Sequence, residues 1–185
     1  MKITTIGKGT IGGTLGRLWT SAGHKVTQLG RSGGDAADAD IVLLAVPSSV
    51  VPAALAGVTG LRDKVIIDAT NRLHGEAPPS GYASVAEYVK ATTNGPTAKA
   101  FNLNFGNLFD QAAAASTRPN NIWVGDEGAR AAVEQLSRDI GMEPLNGGPL
   151  EHAAIQESFA KMLMSIVEDA GAGLLFYRFA APKNF

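Results

Sequence analysis

Three glycines near the start of the chain have the spacing of a phosphate-binding loop. The pattern G-x-G-x-x-G runs through Gly7, Lys8, Gly9, Thr10, Ile11 and Gly12. In such a loop the first glycine permits a tight turn, the second lets the backbone approach a pyrophosphate, and the third allows close packing of helix and strand. The N–H groups of the helix that begins here would then bind the phosphates of a dinucleotide. The alternative is a glycine-rich turn without a ligand.

The residues after the second β-prone run indicate which dinucleotide the loop would hold. Enzymes that use NAD place an acidic residue there to bond the ribose 2′-OH, whereas this chain has Gly30, Arg31 and Ser32. A guanidinium and a hydroxyl suit a 2′-phosphate, which a carboxylate would repel. The sequence therefore favours NADP(H), unless Arg31 is simply a solvated loop cation.

Further candidates follow the later strands of the same predicted sheet. The carboxyl ends of parallel strands meet at one edge, where ligands bind at the point at which the strand order reverses. The predicted cofactor-binding residues at these strand ends are Ala45, Val46, Pro47, Asn71, Ala100 and Asn102. We expect the corner that ends in Pro47 to line the nicotinamide half. The asparagines either bond the ribose or carboxamide, or cap their own loops.

Few side chains in this sequence offer acid–base or metal chemistry. The chain has no cysteine and three histidines, and none of the histidines has an acidic partner at metal-ligand spacing. His24 follows a helix-ending glycine and is predicted to be exposed. His74 and Thr70 are the available proton donors near the predicted crevice. We therefore predict no metal site and no catalytic acid or base on the protein.

Apolar periodicity predicts the elements that position these residues. Strand-like runs alternate with amphipathic segments along the whole chain, which is typical of a doubly wound α/β fold with a mostly parallel, Rossmann-like sheet. The predicted strands are 2–6, 25–29, 41–46, 65–69, 99–102, 122–124 and 142–145, and the predicted helices lie within 12–22, 84–90, 108–115, 127–140 and 150–179. We expect a NADP-binding domain over 1–149. A helical segment over 150–185 would pack on it or on a partner subunit.

The connection after the second strand is unusually short. A dinucleotide fold normally inserts a helix and a third strand here, but only the ten residues from Arg31 to Asp40 are available. Ten extended residues reach about 33 to 36 Å, enough to return along one strand and step sideways across the sheet. The sequence therefore predicts a sheet without its usual third strand and a more exposed adenine end.

Composition excludes several classes of function. The chain has 185 residues, of which 45% are hydrophobic and 18% charged, with a net charge of −1. Such a balance supplies a core but no positive field for nucleic acid. No run approaches the roughly 18 uncharged apolar residues of a membrane span. The lack of cysteine, and a start that leads directly into a β-prone run, favour a cytoplasmic protein without a signal peptide.

Taken in order along the chain, these segments resemble the NADPH-dependent coenzyme F420 oxidoreductase family, whose domain also occurs in flavin-using metal reductases. The segments that carry the resemblance are 3–6 with the glycine loop, 31–32, 45–47, 99–102, 125–126 and 149–151. The resemblance implies direct hydride transfer between NADP(H) and a deazaflavin or flavin, in a homodimer, with no metal and no catalytic acid. The missing third strand departs from the family pattern.

Three hypotheses follow from the sequence. The first is a NADPH-dependent oxidoreductase that passes hydride to a small planar acceptor, either F420 or a flavin. The second is an imine or carbonyl reductase resembling pyrroline-carboxylate reductases, which would need a proton donor such as His74 or Thr70. The third is a non-enzymatic NADPH sensor. Reduction of an acceptor distinguishes the three.

Overall fold

The computed structural model describes residues 1–73, 76–169, 171 and 173–182. In chain order its elements are β1 (Lys2–Ile6), α1 (Thr10–Ser21), β2 (Lys25–Leu29), β3 (Gly34–Asp35), β4 (Ile41–Leu44), α2 (Val51–Ala56), β5 (Val58–Thr59), β6 (Val65–Asp68), α3 (Val85–Thr93), β7 (Thr97–Lys99), β8 (Asn120–Gly125), α4 (Arg130–Asp139), β9 (Glu143–Asn146) and α5 (Ala153–Asp169). Segments of 3-10 helix span Ser48–Val50, Gly106–Ala114, Glu127–Ala129 and Leu150–His152. The predicted helix at 108–115 is thus a 3-10 segment. The sequence analysis missed α2.

The central sheet has seven strands in the order β2-β1-β4-β6-β7-β8-β9. Every neighbouring pair is parallel except β7 and β8, which run antiparallel. The order reverses at β1, because the chain goes from β1 to one side and then returns to the other. This topology confirms the predicted doubly wound, mostly parallel α/β fold.

Both faces of this sheet are covered, which explains the uninterrupted apolar run of β4. Ile41 and Leu43 belong to the cluster that contains α1 and α4, whereas Val42 and Leu44 belong to the cluster with α2 and α3. A strand buried on both faces needs apolar residues at every position rather than at alternate ones.

Within the described residues, no helix combines the length and apolarity that crossing a membrane requires.

The short connection after β2 lacks the usual third strand of the central sheet, as predicted, and β2 is left at the sheet edge. The connection is not bare, however. It contains β3, which pairs in parallel with β5 in a separate two-stranded sheet. The Thr59 hydroxyl donates to Asp35 over 2.7 Å, and this hydrogen bond lowers the pKa of that carboxyl. The small sheet therefore ties the connection to the body of the protein.

The prediction of one helix over 150–179 is wrong beyond Asp169, where α5 ends. Gly171 and Gly173 have φ values of +60° and +67°, a left-handed backbone that cannot continue an α-helix. Residues 173–182, here called the C-terminal segment, instead pack back on the molecule in an irregular conformation. The amide of Asn120 donates to the Tyr177 carbonyl over 3.0 Å, and Phe176 packs against the main core.

Candidate functional site

A cleft of about 560 Å³ lies at the carboxyl ends of β1, β2 and β4. We call it the glycine cleft, and its lining residues are Ile6, Gly7, Lys8, Gly9, Gly30, Arg31, Ala45, Val46, Pro47, Val50, Ala53 and Ala54. The glycine loop, the turn after β2 and the corner after β4 therefore meet in one place, as the sequence predicts. The cleft lies at the reversal of strand order, where open α/β sheets bind ligands.

The three glycines of the loop occupy three different environments. Gly7 has a φ of +110°, and a Cβ on it would lie 2.2 Å from the Ala45 carbonyl oxygen. A Cβ on Gly12 would lie 2.2 Å from the Gly7 oxygen, so only glycine lets α1 approach β1. A Cβ on Gly9, by contrast, would meet nothing within 4 Å. Gly9 therefore leaves open space for a ligand, while Gly7 and Gly12 allow the backbone to pack.

The amino end of α1 opens into this space without a side-chain cap. Gly9 stands at the N-cap position, and within the described chain no side chain caps the amides of the first turn and no acidic residue lies in it. The first intrahelical bond joins the Gly13 amide to the Gly9 oxygen over 2.7 Å. The amides of Thr10 and Ile11 are therefore available at the positive end of the helix dipole. This arrangement fits the pyrophosphate of a dinucleotide.

Two cations lie at the β2 end of the glycine cleft. Arg31 is exposed in the turn after β2, and Lys8 lies beside Gly30, where a Cβ would be 3.5 Å from the lysine Cε. Ser32 is exposed next to Arg31 but lies outside the lining. No aspartate or glutamate of the described chain lines the cleft. The charge distribution suits a phosphate at this end, so the residues present fit NADP(H).

A second cavity of about 210 Å³ begins at Ile11 in the first turn of α1. We call it the asparagine pocket, and it is lined by Ile11, Ala69, Asn71, Leu73, Asn102, Leu103, Asn104, Phe105, Gly106, Ala160, Leu163 and Met164. It shares no lining residue with the glycine cleft, but Ile11 is only two residues from Gly9. Sequence analysis missed most of its wall, since α5 and the 103–106 loop carry no motif.

The two predicted asparagines meet in this pocket and bond each other. Asn71 Nδ2 donates to the Asn102 carbonyl over 2.6 Å, and Asn102 Nδ2 donates to Asn71 Oδ1 over 2.9 Å. Gln156 Nε2 donates to Asn102 Oδ1 over 2.6 Å. Each asparagine nitrogen carries two N–H groups, and the described residues supply an acceptor for one of them. One N–H of each amide therefore remains for a ligand.

A left-handed residue separates Ala100 from Asn102. Phe101 has a φ of +59° although it is not glycine. Its ring is fully buried and packs edge-on against Trp19 with 5.5 Å between centroids, and its amide donates to Asn121 Oδ1 over 3.0 Å. Ala100 is also fully buried in the core and lines neither cavity. The turn at Phe101 ends β7 and places Asn102 beside Asn71.

Four charged side chains pair behind the asparagine pocket. Lys99 Nζ lies 2.8 Å from Asp68 Oδ2 and 2.9 Å from Glu157 Oε1, although the second contact lacks hydrogen-bond alignment. The guanidinium of Arg72 bonds the other oxygen of Glu157. Lys99, Asp68 and Glu157 are almost fully buried. The group joins the ends of β6 and β7 to α5. Its signal in the sequence is a charged residue at the end of a buried strand.

The predicted proton donors are less well placed. The Thr70 hydroxyl is buried and has no hydrogen-bond partner in the described chain, but it lines neither cavity. His74 lies outside the described residues. The expectation that His24 is exposed is wrong, because its side chain is 10% exposed and its Nε2 lies 2.7 Å from Asp139. His24 joins the ends of α1 and α4 and has no part in either cavity.

Comparisons with known proteins agree with this fold. No family model matches the chain, and no curated protein matches it. A candidate F420-dependent NADP reductase from Arthrobacter sp. FB24 aligns with a TM-score of 0.82 and 22% identity, over 98% of this chain and 100% of that one. A 3-hydroxyisobutyrate dehydrogenase from Mycobacterium tuberculosis aligns with a TM-score of 0.65 and 15% identity, over 91% and 62%.

A reductive aminase from Aspergillus terreus, solved with NADPH and ethyl levulinate, aligns with a TM-score of 0.66 and 15% identity, over 91% of this chain and 62% of that one. These identities are low, so the likeness establishes a shared fold. The fold expected from the family resemblance is therefore confirmed.

Proposed function

We propose that the protein is a NADP(H)-dependent oxidoreductase that exchanges hydride with a planar acceptor of the F420 or flavin class. The observation that carries the proposal is the glycine cleft. The amino end of α1 has no side-chain cap there, and the space beside Gly9 is open. Lys8 and Arg31 supply positive charge where an NAD-binding site would have a carboxylate. A pyrophosphate at the helix end and a 2′-phosphate beside Arg31 would therefore each meet hydrogen-bond donors and no carboxylate among the lining residues.

Different residues of the cleft would bind different parts of the nucleotide. The backbone amides of Thr10 and Ile11 would hold the pyrophosphate, and Arg31 with Ser32 the 2′-phosphate. The corner formed by Ala45, Val46 and Pro47 would line the nicotinamide half. The free N–H groups of Asn71 and Asn102 lie beyond Ile11, where the ring would meet the acceptor. Ala100 would support this wall from the core.

The chemistry requires orientation more than acid–base catalysis. When bound, NADPH would supply a hydride from its nicotinamide C4 to the acceptor ring, and a solvent proton would complete the two-electron reduction. Over the described residues, Lys8 and Arg31 are the titratable side chains that line either cavity. The protein would contribute the relative position of two flat rings, which accounts for about 7 to 11 kcal/mol in well-oriented reactions.

The second candidate is an imine or carbonyl reductase, which one observation favours. The Thr70 hydroxyl is buried without a partner in the described chain and stands between two lining residues, Ala69 and Asn71. This hydroxyl is therefore the candidate proton donor for such a reaction. The fold likeness to a reductive aminase that was solved with NADPH is compatible with this chemistry.

Turnover with defined acceptors tests both candidates. Purified protein would be mixed with NADPH and with F420, FMN, FAD or a cyclic imine, and oxidation of NADPH followed by absorbance. We expect reduction of F420 or a flavin, with unchanged kcat in Thr70→Val. Reduction of the imine alone, with a hundredfold lower kcat in Thr70→Val, would favour the second candidate. NADPH binding without turnover of any acceptor would indicate a sensor, and no NADPH binding would overturn the proposal.

The proposal includes a homodimer. Intramolecular packing already covers Phe176 and Tyr177, but Leu174 and Phe179 of the C-terminal segment remain 47% and 54% exposed. A further exposed stripe runs along α5, whose Ile155, Met162 and Ile166 are 67%, 53% and 41% exposed. Light scattering at micromolar concentration should give twice the 19.1 kDa of one chain. A mass of one chain would overturn the dimer.

A further inference from the structure

We propose that Asn104 determines the acceptor specificity of the asparagine pocket and that Tyr177 of the C-terminal segment orients it. The ligand recognised would be a flat heterocycle with a ring N–H between two carbonyls, the pyrimidinedione edge that flavins and 5-deazaflavins share. The inference rests on the proposed function and adds to it the ring edge that enters the pocket and the residues that bind this edge.

The first observation is an unpartnered acceptor. Asn104 lines the pocket and is 5% exposed. Its Nδ2 donates to the Asn120 carbonyl over 3.1 Å and to the Tyr177 hydroxyl over 3.3 Å. Its Oδ1 is buried and has no partner among the described residues. Buried amide oxygens are nearly always hydrogen-bonded, so this oxygen requires an N–H or O–H that comes from outside the chain.

The second observation is that the amide orientation is held from behind. The Tyr177 oxygen accepts from Asn104 Nδ2 and, over 3.4 Å, from the backbone amide of Ile122. Burial raises the pKa of Tyr177 to about 12, so its hydroxyl stays neutral. The Tyr177 ring packs against Phe159 and Phe179, with centroids 6.4 and 6.1 Å away. With the nitrogen held on that side, the oxygen is left without a partner among the described residues, in a side chain that lines the pocket.

The third observation is the set of donors in the same pocket. Asn71 and Asn102 each have one N–H without an acceptor in the described chain, and both line the cavity with Asn104. Two donors and one acceptor match a ligand edge with two carbonyls and one N–H. The remaining wall includes Leu73, Leu163 and other apolar residues, which suit the face of a flat ring.

This recognition belongs to the acceptor rather than to the nucleotide. The glycine cleft takes all its lining from residues 6–54, whereas the wall at Asn104 comes from the 103–106 loop and α5. Asn104 is therefore a specificity residue for the second substrate, and Tyr177 is a positioning residue that acts through it. Neither role has a signal in the sequence, because the pair joins segments more than seventy residues apart.

A matched pair of ring probes tests the inference without relying on turnover. Protein saturated with NADP+ would be titrated with 5-deazariboflavin and with its N3-methyl derivative, and binding followed by probe fluorescence. We expect the unmethylated ring to bind at least about tenfold more tightly, since methylation removes the N–H and places a methyl group against Asn104 Oδ1. Asn104→Leu should abolish this difference, whereas Asn104→Asp, which keeps an acceptor oxygen, should retain much of it.

Tyr177→Phe should reduce the tenfold difference severalfold without changing the Kd for NADPH. Asn107→Leu is the matched control, since Asn107 is exposed in the 3-10 segment that follows the loop and lines neither cavity. The inference is overturned if Asn104→Leu still distinguishes the probes, or if the wild type binds both equally or neither. If the wild type does not bind NADPH at all, the proposed function itself is overturned.

Discussion

The glycine cleft and the asparagine pocket lie on either side of the first turn of α1, yet they are built in opposite ways. The phosphate-binding part of the cleft is made of backbone: Gly7 and Gly12 bring α1 against β1, and Gly9 leaves room. The asparagine pocket is made of side chains, whose amides meet through hydrogen bonds between distant segments. A backbone site is disrupted by adding atoms, whereas a side-chain site is disrupted by removing them.

The charged side chains of the two sites also differ, in their exposure and in their pairing. Lys8 and Arg31 of the glycine cleft are exposed and have no ion pair among the described residues, so they are free for a ligand. Lys99 behind the asparagine pocket is fully buried between two carboxylates. The exposed cations serve binding, and the buried cation serves the architecture that holds the pocket.

The largest effect is expected for an added side chain at Gly12. Gly12→Val should lower the free energy of unfolding by about 3 kcal/mol or more, because its Cβ would lie 2.2 Å from the Gly7 oxygen and force α1 from β1. NADPH binding should be lost as well. Denaturant unfolding and calorimetry with NADPH measure the two effects.

Gly9→Ala is the matched variant, because its Cβ would meet nothing within 4 Å. It should leave the unfolding midpoint nearly unchanged but weaken NADPH binding, since the methyl group would fill the space left for the pyrophosphate. Equal NADPH affinity in Gly9→Ala and wild type would contradict the role assigned to the glycine cleft.

The next effect concerns the buried charges. Glu157→Gln should destabilise the protein by about 3 to 5 kcal/mol, because it removes a negative charge from beside the buried Lys99 and leaves Arg72 without its carboxylate. The affinity for NADPH should change little in protein that remains folded. Asp110→Asn, which breaks the exposed pair with Arg17, should leave the free energy of unfolding nearly unchanged, because solvent screens such pairs. Similar costs for both variants would be evidence against a structural role for the buried group.

A pH effect is expected at the Tyr177 side of the asparagine pocket. Burial raises the pKa of Tyr177 from its ordinary value near 10 to about 12, so deprotonation favours the unfolded chain. This stabilisation is complete below pH 10 and is lost as the pH rises through 12, by about 2 to 3 kcal/mol. Urea unfolding from pH 9 to 12 should show a steeper decline for wild type than for Tyr177→Phe. Parallel declines would refute the raised pKa, and Tyr82→Phe serves as the control.

The smallest effect is expected in the exposed part of the glycine cleft. Arg31→Ala should weaken NADPH binding at least about tenfold and leave NADH binding nearly unchanged, because the lost interaction is one charge-assisted hydrogen bond to the 2′-phosphate. Calorimetry with both nucleotides measures the difference. Equal affinities of the wild type for NADPH and NADH would remove the basis of the NADP assignment.

The sequence predicted the fold and the glycine cleft because both depend on local signals. The glycine loop, the Arg31 turn and the apolar corner at Pro47 each follow a strand, and strand ends meet by topology. Of the asparagine pocket, the sequence predicted Ile11, Asn71 and Asn102. The Asn104 side of the pocket depends on contacts between distant segments. The apolar spacing of the C-terminal segment predicts a helix, but Gly171 and Gly173 end the helical conformation.

The backbone at Phe101 links the stability of the core to the accuracy of the site. A bulky residue in the left-handed region is disfavoured by about 1 to 2 kcal/mol, and this conformation persists because Trp19 and Asn121 hold the ring and the amide. The packing around Trp19 keeps the backbone of residue 101 in this strained conformation. A substitution that loosens this packing would allow residue 101 to relax toward an ordinary strand. Asn102 would then swing away from Asn71, so a change deep in the core would be measured as altered substrate selectivity before it is measured as unfolding.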